Sequence, residues 1–191
     1  MSTDTIAVEI RDRAMIVRFI RPEVRNALSG IVLDELEDLL GEVVRCRDLD
    51  RLVFTGTDDV FASGADLGEI ASMDDRAAYA FARRGQSVMT RIQDAGLQTA
   101  AAINGYCYGG ALDLALACEK RVASPGSTFC HPGAGLGIIT GWGGTQRLPR
   151  LVGESNALEM FFTASPINAA EALRIGLIDG VAEDPLAELS K

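Results

Sequence analysis

Short apolar runs alternate with helix-length amphipathic segments along the whole chain, and that alternation predicts an α/β domain with a buried sheet and crossover helices. Runs such as Leu52-Val53-Phe54 and Thr99 to Ile103 are apolar on both faces, as the strands of a covered parallel sheet are. No internal repeat and no Pro-, Gly- or Ser-rich linker divides the 191 residues, so a single domain over 1–191 is expected. A chain of this length buries roughly 70% of its unfolded surface and needs no disulfide or metal to fold.

Ile6, Val8 and Ile10 alternate with polar residues, and Met15 to Ile20 is largely apolar. The polar turn Arg11-Asp12-Arg13 between them predicts a hairpin that ends at Pro22. Ser29 is placed to cap a helix whose apolar stripe is Val32, Leu33, Leu36, Leu40, Val43 and Val44. Leu52 to Phe54 is a buried strand closed by Gly56, and Asp58 to Asp66 is a loop with Gly64 as its flexible point. A long amphipathic helix is expected from Asp74 to Ala95, with Arg83, Arg84 and Arg91 on a solvated face. Thr99 to Ile103 is the next strand. Asn104-Gly105 turns the chain, and Gly109-Gly110 opens a helix running to about Glu119. Arg121 to Ala123 and Thr128 to Cys130 are short strands. Pro132 to Gly144 holds six of the 20 glycines, so the backbone there approaches something closely or takes unusual conformations. Two helices close the chain; Asn168 caps the second, which ends at Gly176.

The composition is that of a globular protein, 48% hydrophobic and 24% charged. With 18 Lys and Arg against 27 Asp and Glu, the net charge is −9. Such a surface argues against nucleic acid or an anionic membrane as partner, and leaves room for an anionic small ligand at a local site. No signal peptide opens the chain, and Asn104 and Asp113 interrupt the apolar stretch Leu97 to Cys118. Cys46, Cys107, Cys118 and Cys130 lie far apart with no CxxC pair. These features predict a cytoplasmic protein with reduced thiols and no membrane span. One histidine, His131, leaves little for a metal site, and none is expected.

The helix from Gly110 to Cys118 is apolar on every face except at Asp113, so it must be buried all round. A lone carboxylate there is either functional or an acid favoured by the helix dipole. The first amides of that helix have no internal partner and carry positive partial charge. The Gly110 amide, joined by that of Ala65 from the segment Phe61-Ala62-Ser63-Gly64-Ala65-Asp66-Leu67, makes a candidate oxyanion hole. Asp113, three residues on, can move a proton beside it. The plain alternative for the second segment is a loop with Asp66 as a helix N-cap. No P-loop, GxGxxG or GxSxG elbow is present, which disfavours a dinucleotide-binding fold.

Five ordered blocks carry a family resemblance. They are Arg21-Pro22-Glu23-Val24-Arg25-Asn26-Ala27-Leu28-Ser29, then Phe61 to Leu67, then Ala102-Ile103-Asn104-Gly105-Tyr106 with Gly109-Gly110. Gly141-Trp142-Gly143-Gly144-Thr145-Gln146-Arg147-Leu148 and Ala169 to Leu177 complete the set. With these blocks the chain resembles the crotonase (enoyl-CoA hydratase/isomerase) superfamily. The resemblance implies a spiral of ββα units that binds an acyl-coenzyme A thioester, with coenzyme A as part of the substrate and no separate cofactor. The amides of Ala65 and Gly110 would hold the thioester oxygen of an enolate. Arg25, Ala27, Ala65, Asp66, Leu67, Gly109 and Gly110 would line the ligand, Arg25 near its phosphates. Family members usually continue past the point matching Gly180 with helices that build a trimer, so the C-terminal helical region is expected to be missing. A homo-oligomer, trimer or hexamer, is implied.

Hydratases of the family use two glutamates. One position is Asp113 here; the other, in Phe129-Cys130-His131-Pro132-Gly133, is Gly133. Three substitutes suggest themselves. His131 shares a face with Gly133 if the segment is extended, although a partly exposed loop histidine is the simpler expectation. Tyr106 or Tyr108 beside the oxyanion loop can donate a proton. A bound anion is the third, as in the dihydroxynaphthoyl-CoA synthases of the superfamily, which have glycine there and recruit bicarbonate. Trp142 lies one residue from the tryptophan of those enzymes. The leading expectation is an enoyl-CoA hydratase/isomerase-like lyase with Asp113, Ala65, Gly110 and His131 at its catalytic site. The alternatives are a divergent lyase or decarboxylase, and an acyl-CoA-binding relic or accessory subunit without the chemistry. A Gly133→Glu change is expected to restore hydration if only that acid is missing.

Overall fold

The computed structural model describes residues 3–46 and 48–189. β1 (Ile6–Arg11) and β2 (Ala14–Phe19) form the expected hairpin, with Asp12 and Arg13 both at positive φ, as a two-residue turn requires. Ser29 caps α1 (Gly30–Arg45), its Oγ accepting from the Val32 amide at 3.4 Å. The predicted stripe of α1 is buried except for Val44, which is 77% exposed. At 3.6 residues per turn Val44 falls at the margin of that stripe, and Leu39 takes its place in the core.

A repeat then sets in. β3 (Arg51–Thr55) and β4 (Val60–Ala62) lead into α2 (Leu67–Ser72) and α3 (Asp75–Gln93). β5 (Gln98–Ile103) and β6 (Tyr106–Tyr108) lead into α4 (Gly110–Ala117). β7 (Lys120–Ala123) and β8 (Thr128–Cys130) lead into α5 (Gly133–Leu136), α6 (Gly144–Val152) and α7 (Glu154–Thr163). Within each repeat the first strand joins one sheet and the second joins another. The larger sheet runs β1-β2-β3-β5-β7-β10, parallel from β2 onward, and the smaller runs β4-β6-β8-β9. This is the ββα spiral. β9 (Ile167–Asn168), α8 (Ala169–Arg174), β10 (Gly180–Val181) and α9 (Pro185–Leu189) follow.

The turn from β5 to β6 shows why glycine stands at 105. The Tyr106 amide bonds the Asp59 carbonyl at 2.9 Å, and a Cβ on Gly105 would overlap that same carbonyl. Asn104 fastens the turn by donating to the carbonyls of Asp58 and Val60.

Three expectations need correction. β4 and β6 have three residues each, too few to display a period; β4 falls in the expected loop Asp58 to Asp66, and β6 in a stretch given no element. The close of the chain holds α6, α7, α8 and α9 rather than two helices. Gly153 lets the chain bend between α6 and α7, and α9 packs against β5 and β7. Arg84 and Arg91 are not on a solvated face. Arg84 pairs with Asp34 and with Glu37, the latter at 3.0 Å, and Arg91 donates to the Glu37 carbonyl at 3.0 Å. Both hold α3 against α1.

Residues Ala111 to Ala117 of α4 are all buried, as an all-round apolar helix requires. α4 packs between α3 and α6, and its N-terminus meets the ends of the small sheet. Its only buried carboxylate is thereby delivered to the place where the repeats converge.

Candidate active site

Gly109, at φ 54° and ψ −124°, turns the chain from β6 into α4, and its amide bonds the Cys130 carbonyl at 2.8 Å. The loop Ser63-Gly64-Ala65 presses on this turn. Gly64 sits at φ 87°, and a Cβ there would stand 2.6 Å from the Gly110 nitrogen. A Cβ on Gly110 would stand 3.4 Å from the Ala65 nitrogen. The two amides are therefore neighbours, and that of Gly110, at the first position of α4, has no acceptor within its helix.

Ala65 and Gly110 both line a cavity of about 240 Å3, walled by Leu67, Ile70, Met73, Phe81, Leu136, Ile138 and Trp142 among others. The Trp142 indole is buried between α3 and α4. It lies against Gly85 and Gly110, where any Cβ would overlap the ring, and packs edge-on to Phe81 at 5.4 Å.

Asp113 and His131 complete the cavity lining. Asp113 is fully buried. Its Oδ2 accepts from the Thr140 hydroxyl and from the Trp142 amide at 3.2 Å. Burial pushes its carboxyl up to about 6. Those hydrogen bonds, the charge of Arg147 and the Gly144 amide pull the other way. His131 is 2% exposed, with its ring 5.1 Å from that of Phe161. Burial holds the imidazole down at about 4, so it is neutral at pH 7. His131 Nε2 lies 3.7 Å from Asp113 Oδ1. That separation is too long for a direct hydrogen bond. At neutral pH the two form a carboxylate beside a neutral ring, not an ion pair.

Comparison with known proteins follows the same outline. The sequence model of the family described as "Enoyl-CoA hydratase/isomerase" matches residues 9–190. The chain belongs to this family. It is 36% identical to the "Short-chain-enoyl-CoA hydratase" of Clostridium acetobutylicum, over 96% of this chain and 70% of that protein. It is 37% identical to the "Crotonyl-CoA hydratase" of Syntrophomonas wolfei, over 100% of this chain and 75% of the other. Among solved structures, the enoyl-CoA hydratase from Thermoplasma volcanium superposes with a TM-score of 0.93. It is 32% identical and the match covers 98% of this chain and 75% of that one. The Bacillus anthracis enoyl-CoA hydratase gives 0.92 at 32% identity, over 97% and 73%.

Of the residues singled out from sequence in this family member, Ala65, Leu67, Gly109, Gly110, Asp113 and His131 line one cavity. Five others, Arg25, Ala27, Asp66, Tyr106 and Tyr108, stand outside its lining. Arg25 holds its guanidinium 5.3 Å over the Tyr106 ring, and Ala27 lies in the adjoining turn. The Asp66 carboxylate caps α2, accepting from the amides of Gly68 and Glu69, so its plain alternative holds. His131 is not the partly exposed loop residue expected. Pro132, at φ −75° and ψ 3°, turns the chain into α5, so His131 and Gly133 do not share the face of an extended segment. The packing of Phe161 buries the histidine instead.

Thr140, Phe161 and the amides of Trp142 and Gly144 escaped the sequence reading. The glycine density of Pro132 to Gly144 hints at all of these but Phe161, which carries no local signal. Gly144 is needed because a Cβ there would overlap Asp113 Oδ1.

Proposed function

We propose that this family member binds an acyl-CoA thioester and performs enoyl-CoA hydratase/isomerase-type chemistry through a thioester enolate. What supports this is that Ala65 and Gly110, close neighbours in space, line one largely apolar cavity together with the buried carboxylate of Asp113. The thioester oxygen sits between the two amides, which stabilise the negative charge as it develops. The acyl chain lies along Ile70, Met73, Phe81 and Ile138. Asp113, ionised at pH 7 and held by Thr140 and Trp142, moves the proton at the carbons next to the carbonyl. The hydratase names of relatives 36–37% identical support the reaction class.

The four unbridged cysteines support a cytoplasmic setting. Among the described residues no helix is long and apolar enough to cross a membrane.

Asp113→Asn tests the reading. Hydration of crotonyl-CoA should fall by about 10²-fold or more, while affinity for the saturated butyryl-CoA stays within a few-fold. One observation favours a second reading, an acyl-CoA-binding protein without turnover. The backbone around Gly133 is closed to any side chain, since a Cβ there would stand 2.5 Å from the Ile138 carbonyl oxygen. Tight butyryl-CoA binding with no hydration, in the parent as in the variant, would select it.

A further inference from the structure

Asp113 Oδ1 and both ring nitrogens of His131 are buried on the cavity and have no hydrogen-bond partner among the described residues. Buried polar atoms are almost always paired, so three unpaired ones side by side mark a site built for something else. Asp113 Oδ2 is committed to Thr140 and the Trp142 amide, whereas Oδ1, beside the backbone of Gly144, accepts no hydrogen bond of good geometry. That oxygen is the one 3.7 Å from His131 Nε2. The gap suits a third polar group that bonds both at once. The Phe161 ring packs against the imidazole at 5.1 Å, and Gly133 offers no side chain.

We propose that His131 is a catalytic residue, acting with Asp113 as a single dyad that takes the proton from the attacking water and returns it to the substrate. This role rests on the acyl-CoA reading above. One O–H bond of water breaks as its oxygen bonds to the β-carbon of the enoyl thioester. The proton passes to the dyad, and the π electrons move to the thioester oxygen as the enolate. The enolate pair then forms a C–H bond at the α-carbon with that same proton, and the dyad regains its starting charge. Nothing besides water and the enoyl thioester is consumed.

The surroundings suit a one-proton dyad. At pH 7 the pair carries one negative charge, and the arriving proton neutralises it inside a cavity with mainly apolar walls. Arg147 of α6 faces Asp113 with opposite charge. Cys107 of β6 also faces it, with its thiol pushed well above the usual range by burial and so neutral. Phe161 of α7 presents only an aromatic ring to His131.

His131→Gln keeps a polar side chain of similar reach but cannot carry the proton. Its kcat for crotonyl-CoA hydration should fall by about 10²-fold, with KM within a few-fold of the parent. Hydration retained within a few-fold would overturn the proposal. A second measurement needs no variant. His131 is the only histidine of the 191 residues, so its two ring nitrogens can be followed by NMR in the untagged chain. Saturating butyryl-CoA should shift both nitrogen resonances, and unmoved resonances would overturn the dyad. Exchange of the α-hydrogens of butyryl-CoA in heavy water separates the two levels of inference. Exchange that Asp113→Asn abolishes, in a protein whose His131→Gln variant hydrates normally, overturns the dyad alone. A parent protein that neither exchanges nor hydrates overturns the enolate reading and the dyad with it.

Discussion

Asp113 and His131 titrate in opposite directions within one cavity, and their effects on stability oppose each other. Asp113, raised from 3.8 to about 6, binds its proton more tightly in the folded chain. Its contribution to stability is full below 3.8 and lost as pH rises through about 6. His131, lowered from 6.5 to about 4, contributes fully above 6.5 and loses that contribution as pH falls through about 4. The windows overlap, so in the parent each masks the other. His131→Phe keeps an aromatic ring beside Phe161 and removes one of the two. Relative to the parent, this variant should gain stability as pH falls from 6.5 to 4, read as urea midpoints across that range. A parent-to-variant difference that does not move with pH would refute the assignment. At this scale Asp113 was legible in the sequence, because a carboxylate in an otherwise apolar helix has nowhere to hide. The burial of His131 was not legible, because Phe161 reaches it from 30 positions along the chain.

The segment between β8 and α6 shows what individual elements decide. The chain does not run extended through Gly133; it enters the one-turn helix α5 and returns through Gly137 at φ 70°. The Ile138 amide bonds the Gly133 carbonyl at 3.0 Å, which holds the Ile138 carbonyl over the α-carbon of Gly133. The expectation that Gly133→Glu restores hydration is therefore reversed. The change forces this turn apart and should cost about 1–3 kcal/mol of stability, with no gain in crotonyl-CoA hydration. Thermal unfolding alongside turnover checks it, and a gain in hydration at unchanged midpoint would show the turn to be adaptable. The α1–α3 contact makes the same point. Helical spacing in α3 separates its apolar and basic faces, but the spacing does not say that Asp34 and Glu37 of a different helix stand opposite Arg84.

At the scale of the molecule, one feature concerns surfaces. Leu158 and Phe162, one turn apart on α7, are 51% and 77% exposed. Large apolar side chains in register on one helix face favour a protein partner over water. The homo-oligomer implied by the family resemblance would cover them with a second copy. Phe162→Asp should then lower the sedimenting mass, and an unchanged mass would place the interface elsewhere. The chain spans 70% and 75% of the length of the two hydratases compared above, and its ββα spiral superposes on solved relatives over nearly all its described length.

The sequence by itself determined the α/β class, the strands β1, β2, β3, β5 and β7 of the larger sheet, the helix caps at Ser29 and Asn168, and Asp113 as the lone acid of a buried helix. Those follow from local periodicity, backbone sterics and the placement of a lone acid on an apolar helix, all written within a few residues. Only the tertiary structure decided that Ala65 and Gly110 are neighbours, that Thr140 and Trp142 grip one oxygen of Asp113, that Gly144 and the buried His131 stand beside the other, and that Gly133 has no room for a side chain. Each of these depends on segments far apart in the chain being pressed together, and hydrophobic pattern does not encode which distant atoms come to share a cavity.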